Sequence, residues 1–180
     1  MSQLHMEDAV ALLSRTPAAL DALLRGLPPI WTDHNEGQGT WNVRGVLAHL
    51  IQADRVNWIV RARHILEHGD ARSFEPFDRE GGSEENRSLT ALLDEFARQR
   101  AEKLAELRAL RIESPDLGRP GHHRALGAVT LSQLLAAWAV HDLTHLHQIS
   151  RILAHQYSDA VGPWRKFLGV LHCNGHSEPA

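Results

Sequence analysis

The chain has 180 residues, of which 43% are hydrophobic and 23% are charged, which favours one globular domain spanning residues 1–180. Its formal net charge is −3 and it has no long run of lysine and arginine, which argues against nucleic acid or an anionic membrane surface as a partner. Its one cysteine, Cys173, excludes an intramolecular disulfide framework.

The N-terminal residues lack the basic and apolar regions of a secretory signal peptide, and no apolar run is long enough to span a membrane. Because a lone cysteine also fits a reducing compartment, we expect a cytoplasmic protein. The many charged residues, and the scarcity of runs of Val, Ile, Thr and Tyr, favour helices over sheet.

The first half of the chain has the apolar spacing of two helical segments. Residues 2–25 contain the pair Thr16-Pro17, which is typical of a helix start and predicts either two helices or one kinked helix. Asn42 is a plausible N-cap for a second helix from residue 43 to about 67. The inward stripe of that helix consists of Val46, His49, Leu50, Ala53, Val56 and Val60, with His64 near its end.

A long connection over residues 69–87 precedes the third helix, which Ser88 caps and which runs from 89 to about 111. We interpret Phe74 and Phe77 in this connection as a plug for one end of the protein, in preference to a substrate lid. The polar face of the third helix, which we expect to be solvated, carries Asp94, Glu95, Arg98, Arg100, Glu102, Lys103 and Glu106.

After a loop at 113–129 comes the most regular stretch of the sequence, a predicted fourth helix from Thr130 through Leu153 to about residue 157. A short fifth helix is predicted at 163–171, capping the end of the protein with Trp164, Phe167 and Leu168. The sequence therefore predicts an all-α fold of four long helices and a short C-terminal fifth helix.

Histidines are abundant, 13 in all, and three pairs are spaced four residues apart: His64/His68, His172/His176 and His141/His145. Only the last pair lies in the middle of a helix, on the apolar stripe that also includes Trp138 and Ile149. Histidines four apart lie on one helix face and are able to bind one divalent metal ion. The alternative is a pair of core histidines bonded to each other or to the backbone.

A metal site needs a further ligand, and His49 on the second helix is the candidate. If the second and fourth helices face each other, His49, His141 and His145 surround one point. Three neutral nitrogen ligands leave coordination positions for water, a thiol or substrate, as in catalytic metal sites. No catalytic side chain is assigned beyond these ligands.

Three segments resemble the DinB/YfiT-like family: residues 40–55 (TWNVRGVLAHLIQADR), 125–153 (ALGAVTLSQLLAAWAVHDLTHLHQISRIL) and 156–168 (QYSDAVGPWRKFL). The stretch FEPFDR at 74–79 resembles one DinB-like branch. This resemblance implies a four-helix bundle, commonly a homodimer, with a divalent metal, often zinc or nickel. The family's metal ligands, one histidine in the second helix and a His-x-x-x-His in the last, correspond to His49, His141 and His145.

The resemblance leaves the chemistry open. Some relatives resemble transferases that use low-molecular-weight thiols, others resemble thiol-dependent isomerases, and many are described as hydrolases without a known substrate. We therefore consider three functions. The first is a metal-dependent enzyme, either a hydrolase or a thiol S-transferase acting on an unidentified small molecule. The second is a metal-binding protein without turnover, and the third is a metal-free dimeric interaction module.

Several residues near the proposed ligands have more than one interpretation. Asp142 follows the first histidine of the motif, and we interpret it as part of an interhelix salt bridge or as support for a ligand, rather than as a general base. Gln52 and Gln148 are candidates to contact a bound water. Trp41 and Trp58 are expected in the core in preference to the pocket wall, and His122-His123 are expected to be exposed.

Overall fold

The computed structural model describes residues 4–77 and 87–173. The middle of the 69–87 connection lies outside the described residues, as do His176 and residues 2 and 3 of the first predicted segment. The helices are α1 (Met6–Leu13), α2 (Thr16–Leu24), α3 (Pro29–Thr32), α4 (Val43–Val56), α5 (Trp58–His68), α6 (Leu89–Ala109) and α7 (Leu131–His155). None of these helices is both long and apolar enough to cross a membrane.

The helices form a bundle of four segments: α1 with α2, α4 with α5, α6 alone and α7 alone. The first segment and the second segment each pack against both α6 and α7. The order around the bundle is therefore first segment, α6, second segment, α7, so segments that follow each other in sequence are not always neighbours. This confirms the four-helix bundle, and it supplies the spatial order that connection lengths alone do not give.

Each of the first two segments is divided into two helices. In the first, the two-helix alternative is correct, although Thr16 is the first helical residue of α2 and its N-cap is Arg15. In the second, the prediction of one continuous helix is wrong, because α4 ends at Asn57, where φ is −107° and ψ is −72°. The break shifts the inward face, so that α5 buries Trp58, Ile59, Ala62 and Ile65. Val56 and Val60, predicted to be inward, are exposed.

The buried side chains fall into two clusters. One is centred on Trp58, Leu104 and Trp138, and the other on Leu47, Phe96 and Ile149. Along α6, Arg100 lies between Phe96 of the second cluster and Leu104 of the first. Along α7, His145 lies between Trp138 and Ile149 in the same way. The boundary between the two apolar clusters is therefore the level of the bundle at which polar side chains are buried.

The connection before α7, predicted to be a loop, contains a 3₁₀ helix at Ser114–Gly118 and an antiparallel hairpin of β1 (Pro120–His123) and β2 (Gly127–Thr130). Gly121 of β1 packs against α5 so closely that a Cβ there would lie 2.7 Å from Cγ1 of Ile65. The hairpin also holds the chain after α5, since Phe74 donates its backbone N–H to the His122 carbonyl at 2.9 Å.

The short helix predicted at 163–171 lies at the predicted position, but it is not an α-helix. The chain forms two 3₁₀ helices instead, Gly162–Phe167 and Gly169–Leu171. Trp164 and Phe167 are each 70% exposed, so they do not cap the end of the bundle. A proline at the start, with glycines at 162 and 169, favours short irregular turns over a continuous α-helix.

Candidate metal centre

Local sequence signals place the three proposed ligands. Asn42 accepts a hydrogen bond from the Gly45 backbone N–H at 2.9 Å, so the predicted N-cap of α4 is confirmed. Thr130 caps α7 in the same manner, and Gln133 reaches back to the Thr130 backbone N–H to complete a capping box. These caps fix where α4 and α7 begin, and therefore which residues face the interior of the bundle.

The structure brings the three predicted histidines together. The Nε2 atom of His141 lies 3.1 Å from Nε2 of His49 and 3.1 Å from Nε2 of His145. Ligand atoms of all three residues lie within 4.8 Å of one another. His49 and His145 are buried, whereas His141 is half-buried and forms the more open side of the cluster.

The donor set of this cluster fits a divalent ion. A ring nitrogen carries either one proton or one lone pair in the plane of the ring, so Nε2 of His141 is able to make only one good hydrogen bond in that plane. It nevertheless has two nitrogen neighbours at 3.1 Å. Ligands about 2.05 Å from a tetrahedral zinc ion stand about 3.3 Å apart, close to these separations. A cation at the centre would use all three lone pairs at once.

Gln148 orients one of the proposed ligands. Its side-chain Oε1 lies 2.8 Å from Nδ1 of His145. Because an amide oxygen is only an acceptor, Nδ1 carries the proton and Nε2 presents its lone pair toward the other two histidines. Gln148 was predicted to contact a bound water, and its observed contact is with the ligand ring itself, a common arrangement around metal-binding histidines.

Aromatic rings surround the three histidines. Trp41 lies 4.8 Å from the His49 ring and Phe77 lies 5.7 Å from it, while Trp58 lies 5.1 Å from the His141 ring, all between centroids. Trp58 also stacks on Trp138 in the core, with an interplanar angle of 8°. Trp58 is a core residue as predicted, whereas Trp41 is half-buried, and both form walls of the site. Phe77 contacts a proposed ligand rather than only plugging one end.

Asp142 is buried and forms a salt bridge with Arg100 of α6, which confirms the salt-bridge interpretation. Because its carboxylate is paired with Arg100, it is not available as a general base. Gln52 is half-buried, and among the described residues it makes no hydrogen bond to the three histidines. The prediction that His122 and His123 are exposed is wrong, because both are half-buried in the hairpin. Nδ1 of His122 lies 2.8 Å from the Ser73 hydroxyl, and Nδ1 of His123 accepts from the Ala125 backbone N–H. Within the described chain, only the three predicted histidines form a cluster suited to a metal.

A buried ionic network next to these histidines was not predicted. Arg100, which we expected on the solvated face of α6, is 1% exposed and pairs with Asp54 and Asp142. Trp138 donates its indole N–H to Asp54 at 3.2 Å. The signal was present in the spacing, because Arg100 is four residues from both Phe96 and Leu104, and Asp54 is four residues from both Leu50 and Trp58.

Comparison with known proteins identifies the family. The model of the DinB superfamily matches residues 12–149, which include all three histidines. The chain belongs to the DinB superfamily. This membership confirms the family predicted from the sequence, and with it the helical-bundle fold.

Among solved structures, this DinB-superfamily chain is similar to YfiT from Bacillus subtilis, which is described as a probable metal-dependent hydrolase with an unusual four-helix bundle topology. The two are 19% identical, the match covers 90% of each chain, and the TM-score is 0.71. At this identity the likeness is one of fold. Among curated proteins, no relative matches the sequence.

Proposed function

We propose that the chain is a metal-dependent hydrolase that holds one divalent ion, zinc or nickel, through His49, His141 and His145. The observation that carries this proposal is the convergence of the three histidines, with two Nε2–Nε2 separations of 3.1 Å, at a buried level of the bundle. The likeness to YfiT, a probable metal-dependent hydrolase, supports hydrolysis as the reaction class. When bound, the ion would supply Lewis acidity and lower the pKa of a water or thiol in its remaining coordination positions.

The side chains around the histidines have separate roles in this proposal. Gln148 holds the proton of His145 on Nδ1, which keeps Nε2 available as a ligand. Trp41, Trp58 and Phe77 exclude bulk water from the three rings, which strengthens electrostatic interactions at the centre. The half-buried His141 marks the side from which a small substrate would enter.

Transfer of a low-molecular-weight thiol is the second candidate. Three neutral ligands leave the full charge of the ion uncompensated, and a thiolate is a good partner for such a charge. The same donor set serves both reactions. The choice between them therefore depends on a measurement of turnover with each class of substrate.

The metal proposal is tested by elemental analysis of protein purified without an affinity tag. We expect about one zinc or nickel ion per chain in the wild type, and loss of that ion in His49→Ala, His141→Ala and His145→Ala, since one ligand of three is removed. His147→Ala is the matched control, because this histidine lies on α7 but outside the cluster. Circular dichroism should show that all four variants remain helical. Wild-type protein without metal, even after reconstitution, would contradict the proposal.

The reaction is tested with metal-loaded and metal-stripped protein in parallel. Chromogenic esters and amides report hydrolysis, and a set of small thiols with an alkylating electrophile reports transfer. Metal-dependent turnover of the first set only supports the hydrolase, whereas turnover of the second set only identifies a thiol transferase. Metal binding without turnover of either set would favour the non-catalytic metal-binding function.

A further inference from the structure

Arg61 of α5 lies one helical turn after Trp58, and within the part of the chain that the structure describes no carboxylate forms an ion pair with it. Its guanidinium is half-buried and lies over the Phe74 ring, 5.1 Å from the centroid. Its one hydrogen-bond acceptor in the described chain is the Glu75 backbone carbonyl, at 3.4 Å. Burial lowers the pKa of Arg61, as expected for a guanidinium that has lost water without gaining an ionic partner.

The other buried guanidinium groups of the described chain have ionic partners. Arg100 pairs with Asp54 and Asp142, and Arg151 donates to Glu36 at 2.7 Å. The carboxylate nearest in sequence to the Arg61 acceptor, that of Glu75, is exposed and lies 3.5 Å from Arg124 instead. Since a partly desolvated cation is costly without a partner, Arg61 is suited to a partner that arrives from solution.

The position of Arg61 connects it to the proposed metal ligands. It follows Trp58 by three residues on α5, so both side chains lie on one helix face, and Trp58 contacts the His141 ring at 5.1 Å. Phe74, under the guanidinium, is three residues before Phe77, which contacts the His49 ring at 5.7 Å. The same two segments therefore form the wall of the histidine cluster and carry the guanidinium.

A second donor on this part of α5 has no acceptor in the described parts of the chain. The indole Nε1 of Trp58 is buried without a hydrogen-bond partner among the described residues, whereas that of Trp138, stacked on it, donates to Asp54. Buried donors are normally satisfied, and an unsatisfied one is a costly feature that a bound oxygen acceptor would relieve. The turn of α5 that borders the His141 ring therefore carries two N–H donor groups, on Trp58 and Arg61, that have no strong acceptor among the described residues.

We propose that this side of the site binds the carboxylate of a small anionic substrate, with Arg61 as the residue that selects for it. The proposal rests on the metal-dependent function above, since the reacting group of that substrate lies at the histidine cluster. The planar guanidinium offers parallel N–H groups that match the two oxygens of a carboxylate, and charge-assisted bonds of this kind are among the strongest in proteins. Arg61 is thus a specificity residue and the substrate class is a small carboxylate.

The test uses the protein loaded with Co²⁺, whose absorption spectrum reports a thiol bound at the metal. The probes are thioglycolate, 3-mercaptopropionate and 4-mercaptobutyrate, each compared with its primary amide, so that chain length varies while the thiol is kept. We expect wild-type protein to bind at least one acid about tenfold more tightly than its amide. We expect Arg61→Gln to reduce that preference to less than about twofold, while Co²⁺ stoichiometry and amide affinity stay unchanged.

Two further variants sharpen the result. Arg61→Lys keeps the positive charge but loses the parallel N–H groups of the guanidinium, and it should retain part of the preference for the acid over its amide. Arg124→Gln removes a nearby exposed guanidinium that already has a carboxylate neighbour, and it should retain all of that preference.

Wild-type protein that binds every acid and amide equally would overturn the inference. A preference for the acid that survives in Arg61→Gln would overturn it as well. Failure of Co²⁺ to bind would instead show that the proposed metal function is wrong, and the inference would fall with it. Co²⁺ that binds while no thiol acid alters its spectrum would overturn the inference alone, because the site would then not hold a small carboxylate at the metal.

Discussion

Arg100 of α6 donates hydrogen bonds to Asp142 of α7, the residue that directly follows the proposed ligand His141. The same guanidinium donates to both carboxylate oxygens of Asp54 in α4, and to the Leu13 carbonyl at the end of α1 at 3.0 Å. One side chain of α6 therefore donates hydrogen bonds to each of the other three segments of the bundle. Because Asp142 precedes His145 by three residues, this network also helps to fix the rotation of α7 that points both histidines inward.

Replacing the central cation of this network should strongly destabilise the protein. Arg100→Met leaves two carboxylates buried without their cation, and the expected loss in free energy of unfolding is about 3–5 kcal/mol. Urea unfolding followed by circular dichroism measures it. Arg98→Ala is the control, because its ion pair with Glu95 is on the surface, and it should cost less than about 1 kcal/mol. A loss in Arg100→Met no larger than in the control would contradict a stabilising role for the network.

The network also predicts a pH dependence. Burial raises the pKa of Asp54 to about 6, against the opposing attraction of Arg100. The folded state therefore retains a proton on Asp54 at pH values where the unfolded state has lost it, so this residue lowers stability as the pH rises from about 4 to about 6.

The comparison that isolates this effect is between wild type and Asp54→Asn, whose side chain does not titrate. The stability advantage of the wild type over the variant should shrink across that pH range and stay constant above it. Urea unfolding at closely spaced pH values measures the difference, and other carboxylates cancel because both proteins share them. An advantage that grows with pH would mean that the attraction of Arg100 exceeds the cost of burial.

Gln148 should control metal affinity without being a ligand. In Gln148→Leu the proton of His145 loses its acceptor, and the expected result is a metal affinity about 10- to 100-fold weaker. Gln148→Glu keeps an acceptor at this position and should retain affinity near or above that of the wild type. Competition with a chromogenic chelator measures both. Equal affinities in Gln148→Leu and the wild type would show that the contact with His145 has no role in binding.

The proposed ligands could be predicted because the signal is local. His141 and His145 are four residues apart on an uninterrupted apolar stripe. His49 lies on the apolar stripe of the second predicted helix, about two turns after its N-cap, Asn42. Helix geometry then brings side chains on one face together wherever two such faces meet. The meeting itself is a tertiary event, and the packing of both α4 and α5 against α7 provides it.

Other features could not be predicted because their causes are distant or weak. The partner of Arg100, Asp54, is 46 residues away, so the spacing of Arg100 from Phe96 and Leu104 indicates an inward position but does not identify the residue with which it pairs. The helix break at Asn57 involves neither proline nor glycine. The hairpin strands have four residues each and little β-branched character, and their position depends on packing against Ile65 and Phe74.

Metal should stabilise a bundle that already folds without it. The two apolar clusters do not depend on the histidines, so metal-stripped protein should keep its helical circular dichroism. An ion that binds only the folded state adds stability that grows with its concentration, about 2.7 kcal/mol at one hundred times the dissociation constant. For a chain of this size, that corresponds to an increase in Tm of roughly 5–10 °C.

The variant His49→Ala tests whether the increase comes from this site. In His49→Ala the increase in Tm on adding metal should largely disappear, while the Tm of the metal-free variant stays near that of metal-free wild type. If the stripped wild type unfolds instead, the ion is structural, and the cluster contributes to folding in a way that the apolar contacts alone do not indicate.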